Sequence, residues 1–291
     1  MDDPSTFPPE LQSQLGLLIA SNHILHEHSL VDAFGHISIR HPTNPSQYII
    51  AGYDPGAPAL MSSSRDFITY HVSDSSPVHP NAPKGYSERF IHGEIFRVHP
   101  KVNCVVHSHS DAVLPFTATG MPLRPIYHMA GFLAKHGKTL PPHFIIDGAY
   151  AMCAGKHTPD MLIRDALLGT MLALQLKVPE GEEVDGDEEP YLPVVLQPKH
   201  GFTCVGSSIQ RAVYRAIYTQ KNCELVKSAL DAAGGKEIEY LSAREAQACA
   251  KMNVLCEDKA FRLWLREVEV NPLYRNEEGV PRDLPVGGMG V

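Results

Sequence analysis

The sequence has no excess of positive charge. Its 25 lysines and arginines stand against 33 aspartates and glutamates, for a formal net charge of −8. Nucleic-acid binders ordinarily carry a basic excess, so nucleic acid is not an expected partner. Long apolar runs are also missing: nothing approaches the roughly 20 residues that span a bilayer as a helix. The N-terminal stretch MDDPSTFPPE lacks the basic and apolar regions of a signal segment. No two of the six cysteines are spaced CxxC, and a chain of 291 residues buries enough surface to fold without disulfides. Together these absences predict reduced thiols, a cytoplasmic protein and no membrane partner. A composition of 43% hydrophobic and 20% charged residues excludes wholesale disorder.

What the sequence has in quantity is histidine, 16 in all. Around these the chain alternates helical and strand patterns. Apolar residues at helical spacing over Glu10–His28 predict an amphipathic helix. Strands are expected at Phe34–Arg40, Tyr48–Ala51, Phe67–Val72, Val102–His107, Leu123–Tyr127, Leu192–Gln197 and Gly201–Val205. Further helices are expected from Ser87, which would serve as the N-cap, to Pro100, then over 159–177 and Ser208–Ala233, and as two pieces at Ala243–Asn253 and Asp258–Val268. Val178–Pro190 holds seven acidic residues and no basic ones, which reads as a solvated loop. Residues 52–66 form a Gly/Pro/Ser-rich loop, and residues 271–291 read as a peripheral tail. The mixture indicates one α/β domain with a helical C-terminal extension.

The sharpest motif is His107-Ser108-His109, where an apolar strand ends. Residues i and i+2 of a strand share a face, so two imidazoles can reach one cation from one side. His200, at the tight turn Lys199-His200-Gly201, could bring a third. Three histidines with open coordination positions suit catalytic Zn²⁺, and also Fe²⁺, Mn²⁺ or Co²⁺. Glu88, at the start of the helix before the HxH strand, could act as general acid/base or as a fourth ligand; its plain alternative is a first-turn glutamate favoured by the helix dipole. His92, four residues on, shares its helical face and could orient it.

These motifs, with Gly35-His36-Ile37-Ser38-Ile39-Arg40 upstream and Lys199-His200-Gly201-Phe202-Thr203-Cys204-Val205-Gly206 downstream, occur in an order that resembles the class II aldolase/adducin family over roughly residues 10–232. The resemblance implies an α/β/α sandwich around a central, mostly antiparallel sheet. It places the family domain at 10–235 and a helical extension with its tail at 236–291. It implies a divalent metal held by His107, His109 and His200, zinc foremost. It implies Glu88 as proton donor and acceptor, and a homotetramer with active sites at subunit interfaces.

The chain departs from the sugar-phosphate members of that family. Gly35-His36 stands where they carry Gly-Asn, Pro55-Gly56 where they carry a hydroxyl-bearing turn, and Tyr86 where they carry the first of two serines. Phosphate nests use small hydroxyls and backbone amides, so these changes disfavour a phosphorylated sugar, although Ser62-Ser63-Ser64 could restore such a nest. Candidate substrate contacts are Gly35, His36, Ser38, Ser87 and Arg124, the last as a bidentate carboxylate holder. His128 is a candidate second acid/base beside Glu88. The expected activity is metal-dependent carbon–carbon cleavage, by decarboxylation or retro-aldol reaction, of a non-phosphorylated hydroxy or oxo acid, aromatic or aliphatic, through an enediolate. The competing expectations are a non-haem iron oxygenase, a sugar-phosphate aldolase and a non-catalytic adducin-like module.

Overall fold

The computed structural model describes residues 7–134, 140–144, 146–148, 158–181, 189–281 and 284. Six strands form one sheet: β1 (His36–Arg40), β2 (Gln47–Ala51), β3 (Phe67–His71), β4 (Cys104–Ser108), β5 (Val194–Gln197) and β6 (Gly201–Gly206). Their order is β3-β2-β1-β4-β6-β5, and every neighbouring pair is antiparallel. Side chains alternate between the faces, as strand geometry requires. Ile37, Ile39, Val106, Phe202 and Cys204 face one core layer. Ile50, Val105, Val195 and Val205 face the other.

The first layer is covered by α1 (Pro9–Glu27), α5 (Ile209–Ala233) and α6 (Ala243–Val270). The second is covered by α2 (Arg89–Val98) and α4 (Ala166–Leu174). A short α3 (Leu114–Thr119) follows β4, and a 3₁₀ segment at His128–Ala134 packs into the first layer. The result is the expected α/β/α sandwich. No helix among the described residues is long and apolar enough to cross a membrane.

Several local expectations are corrected. Ser87 does not cap α2; Glu88 occupies the N-cap position, and its side chain leaves the helix end unbonded. Leu123–Tyr127 is not a strand, because Pro122 and Pro125 remove two N–H donors. The segment is held instead by Ile126 N–H donating to Asn222 Oδ1 at 2.9 Å. The helix expected over 159–177 starts only at Ala166, where the Asp165 side chain accepts from Leu168 N–H at 2.9 Å. The two C-terminal helical pieces are one continuous helix, since neither glycine nor proline interrupts 254–257.

The acidic segment is also less uniform than its composition suggests. Residues 182–188, like Cys153, His136, His157 and 285–291, lie outside the described residues. Glu189 is buried, and Arg215 and Arg211 both donate to it. Burial pushes its carboxyl up, but the two guanidiniums outweigh that and hold it well below the usual carboxylate range. Residues 274–278 are no loose tail either. Tyr274 stacks on His23 at 4.7 Å, Asn276 Nδ2 donates to Gly16 O at 2.9 Å, and Glu278 Oε1 accepts from Ser64 N–H at 2.8 Å.

Candidate metal centre

β4 carries His107 and, just past its end, His109. β6 lies beside it in antiparallel register, with His107 opposite Thr203, so the β5–β6 turn brings His200 to the same end of the sheet. Gly201 makes the close approach possible. Its φ is +149°, and a Cβ there would sit 2.1 Å from Ser108 O. The three imidazole rings form a near-equilateral triangle, with centroids 4.9 Å (107–109), 4.9 Å (107–200) and 5.0 Å (109–200) apart. Glu88 completes the group: one ligand atom from each of Glu88, His107, His109 and His200 lies within 4.8 Å of all the others.

The chemistry of this donor set suits a divalent cation. Burial, reinforced by the neighbouring histidines, lowers His107 well below the ordinary histidine value. Burial and then His109 lower His200 to about 4. His109 is lowered as well, by burial, with Asp32 opposing. All three are therefore neutral at pH 7 and offer lone pairs. His107 Nδ1 is 3.1 Å from Thr203 Oγ1, whose hydroxyl donates to Gln197 Oε1 at 2.8 Å. With that proton committed, Thr203 accepts from His107, which holds its hydrogen on Nδ1 and leaves Nε2 bare. Neither Thr203 nor Gln197 carries a metal-site signal of its own in the sequence, although the alternation of β5 and β6 puts both on the histidine face.

Glu88 is buried beneath this triangle. Its Oε1 accepts from Ile163 N–H at 3.0 Å, and its Oε2 is 3.7 Å from His200 Nε2. Burial raises its carboxyl to about 7, against the pull of the Ile163 amide and Arg164. The carboxylate thus faces the imidazoles and does not serve the helix end.

The remaining candidates divide into two groups. Gly35, at φ +84°, lets the start of β1 pass 3.2 Å from His107 O, measured to an ideal Cβ. His36 pairs with His107 across the strands, and its ring is 5.1 Å from the rings of His107 and Tyr86. Tyr86 in turn donates to Gly56 O, which ties loop 52–66 to this corner. His92 does not orient Glu88. It bonds His36 Nδ1 and Ser38 Oγ, at 2.6 Å each. Ser87 is exposed next to Glu88.

Arg124 and His128 are not brought to the centre. Arg124 lies over the Tyr240 ring at 4.3 Å, and His128 is exposed at the head of the 3₁₀ segment. That segment belongs to the first core layer, across the sheet from the histidines. The Ser62–Ser64 amides are already filled: those of Ser62 and Ser63 donate to Asp66 Oδ2 at 2.7 and 2.9 Å, and that of Ser64 to Glu278. They leave no vacant phosphate nest.

Residues 17–226 match the family described as the class II aldolase and adducin N-terminal domain. The chain belongs to this family. It is 41% identical over 266 residues to decarboxylase tropJ of Talaromyces stipitatus, covering 89% of this chain and 95% of that protein. It is 27% identical over 216 residues to a 3,4-dihydroxyphthalate decarboxylase of Terrabacter, covering 72% and 78%. Its fold matches an aldolase II superfamily protein from Pseudomonas syringae with a TM-score of 0.70 at 17% identity, over 92% and 97% of the two chains. Family membership, decarboxylase relatives and the intact histidine triad together make the chain an enzyme of the lyase class that acts on a small molecule and uses a divalent metal.

Proposed function

We propose that the chain decarboxylates a non-phosphorylated, aromatic hydroxy acid with Zn²⁺ as its metal, in the cytoplasm and as a homotetramer. The observation that carries this reading is the convergence of three neutral imidazoles and the Glu88 carboxyl at one point, beside a loop whose anion nest is already filled by Asp66 and Glu278. The names of the two decarboxylase relatives agree with it. The free thiols of Cys104, Cys204, Cys223, Cys249 and Cys256 suit a reducing compartment.

In this reading His107, His109 and His200 hold the ion, and Thr203 with Gln197 keeps His107 in the ligating tautomer. When bound, the ion supplies a Lewis acid that polarises the substrate oxygens as the carbon–carbon bond breaks. Glu88, a carboxylate once the ion is bound, takes the substrate hydroxyl proton on Oε2 and delivers it to the carbon that loses carbon dioxide, and water returns a proton to the phenolate left behind. The Ile163 amide fixes the other oxygen, so the carboxyl cannot rotate away. Gly35, His36 and Ser87 form the wall against which the substrate lies, and Ser38 acts on it through His92 and His36. Arg124 and His128 reach a centre only from a neighbouring subunit, His128 as a second acid/base and Arg124 as a carboxylate holder. The family unit is residues 10–235, and 236–291 is its extension.

The test is metal analysis of the purified protein, followed by assays of carbon dioxide release from dihydroxybenzoates and dihydroxyphthalates alongside oxygen uptake. Near-stoichiometric zinc and carbon dioxide release are expected. Oxygen uptake with bound iron would replace this reading by an oxygenase, and aldehyde release without carbon dioxide would replace it by retro-aldol cleavage.

A further inference from the structure

A fourth histidine crowds the metal centre, and it is bonded differently from the other three. His36 Nδ1 lies 2.6 Å from His92 Nε2, and His92 Nδ1 lies 2.6 Å from Ser38 Oγ. Ser38 and His92 are fully buried and His36 nearly so. Neither Ser38 nor His92 has another side-chain hydrogen bond among the described residues. Two proton orders fit these distances. In the first, Ser38 Oγ donates to His92 Nδ1, His92 Nε2–H donates to His36 Nδ1, and His36 carries its hydrogen on Nε2. In the second, every bond runs the other way, and the Ser38 hydroxyl proton is left without an acceptor in a closed interior. Buried donors are rarely left unpaired, and the first order pairs both enclosed ones, leaving only the His36 Nε2–H, which is not among the fully enclosed side-chain atoms.

We propose that Ser38 and His92 fix His36 as an N–H donor at the metal centre, where it takes an acceptor oxygen of the substrate and stays out of the metal's ligand set. The first proton order has both consequences at once. A protonated Nε2 has no lone pair for a cation, so a ring whose centroid lies 5.1 Å from that of His107 offers the ion no ligand atom. The same N–H can donate only to an oxygen with a free lone pair, such as a carboxylate or a phenolate. The relay is a positioning device: Ser38 and His92 reach the substrate only through His36. The identity of the ligand rests on the hydroxy-acid reading above, and the proton order does not.

Neutron diffraction from crystals of the full-length protein tests the relay directly. Deuterium is expected on His36 Nε2 and His92 Nε2, with the Ser38 deuterium directed at His92. Deuterium on His36 Nδ1 would overturn the proposal. Calorimetry of the zinc-loaded protein with 3,4-dihydroxybenzoate and with catechol tests the donor role. His36→Phe is expected to weaken 3,4-dihydroxybenzoate binding by roughly tenfold or more, and Ser38→Ala by a smaller factor. His36→Gln, whose amide keeps a donor, is expected to recover part of the loss. If catechol weakens as much, the oxygen read is a hydroxyl; if it does not, the oxygen is the carboxylate. Unchanged affinity in a folded His36→Phe variant would sink the donor role. If neither probe binds the wild type, the hydroxy-acid reading fails while the diffraction result still decides the relay.

Discussion

Glu88 divides its carboxyl between two partners: Oε1 takes the Ile163 amide at 3.0 Å, and Oε2 faces His200 Nε2 at 3.7 Å. One oxygen is anchored and the other is left at the metal centre. Replacing Glu88 with glutamine keeps the size and one donor–acceptor pair but removes the transferable proton. We expect Glu88→Gln to retain its metal and to lose about 10²–10⁴-fold in turnover. Steady-state rates alongside metal content will check this, and near-wild-type turnover would remove Glu88 from the chemistry.

The same residue predicts a proton count. Burial holds the metal-free Glu88 at about 7, so at pH 6 it is mostly protonated. The three histidines are lowered below their ordinary value by burial, His200 to about 4, so Glu88 holds the larger share of the proton. A cation favours the carboxylate, so Zn²⁺ binding at pH 6 should release close to one proton. In Glu88→Gln the release should be clearly smaller. Calorimetric titrations in buffers of different ionisation enthalpy measure the number.

Thr203 touches no metal ligand atom but sets the tautomer of His107 through the Gln197–Thr203–His107 chain. Thr203→Val keeps the shape of the side chain and removes the hydroxyl. The expected outcome is a folded protein whose zinc affinity is lower by about 10–100-fold, read by competition with a chromogenic chelator. Unaltered affinity would show that the chain of bonds does not act on the ion.

Far from the centre, Glu189 is the carboxylate partner of the fully buried Arg215 and also bonds Arg211. Removing it strands a guanidinium in the interior. Glu189→Ala should cost about 3–5 kcal/mol of stability, seen as an earlier urea midpoint. A loss under about 1 kcal/mol would mean that water or a neighbouring group replaces the carboxylate.

Much of this was legible in the sequence because strand alternation is a local rule. The HxH spacing alone puts His107 and His109 on one side of one strand end, and the Lys199-His200-Gly201 turn signals a third imidazole. Less visible were relations that depend on register between distant strands. Nothing local to Thr203 indicates that it stands opposite His107, and nothing near His92 says that it faces β1 in preference to Glu88 one turn away. Glu189 was hidden by composition, since six neighbouring acids made it look solvated. Arg124 and His128 looked like pocket residues from their chemistry, yet packing placed them across the sheet.

The β4–β6 pairing has a temporal consequence. His109 and His200 are 91 positions apart in the chain (200 minus 109) and meet only when β6 lies along β4. At synthesis rates of about 5–20 residues per second, the first two imidazoles leave the ribosome several seconds before the third exists. An early fragment therefore offers a two-nitrogen site that any passing cation can enter and leave. Tight loading has to wait until His200 has been made and β6 has paired with β4, which makes the occupied centre a marker that this long-range pairing has formed.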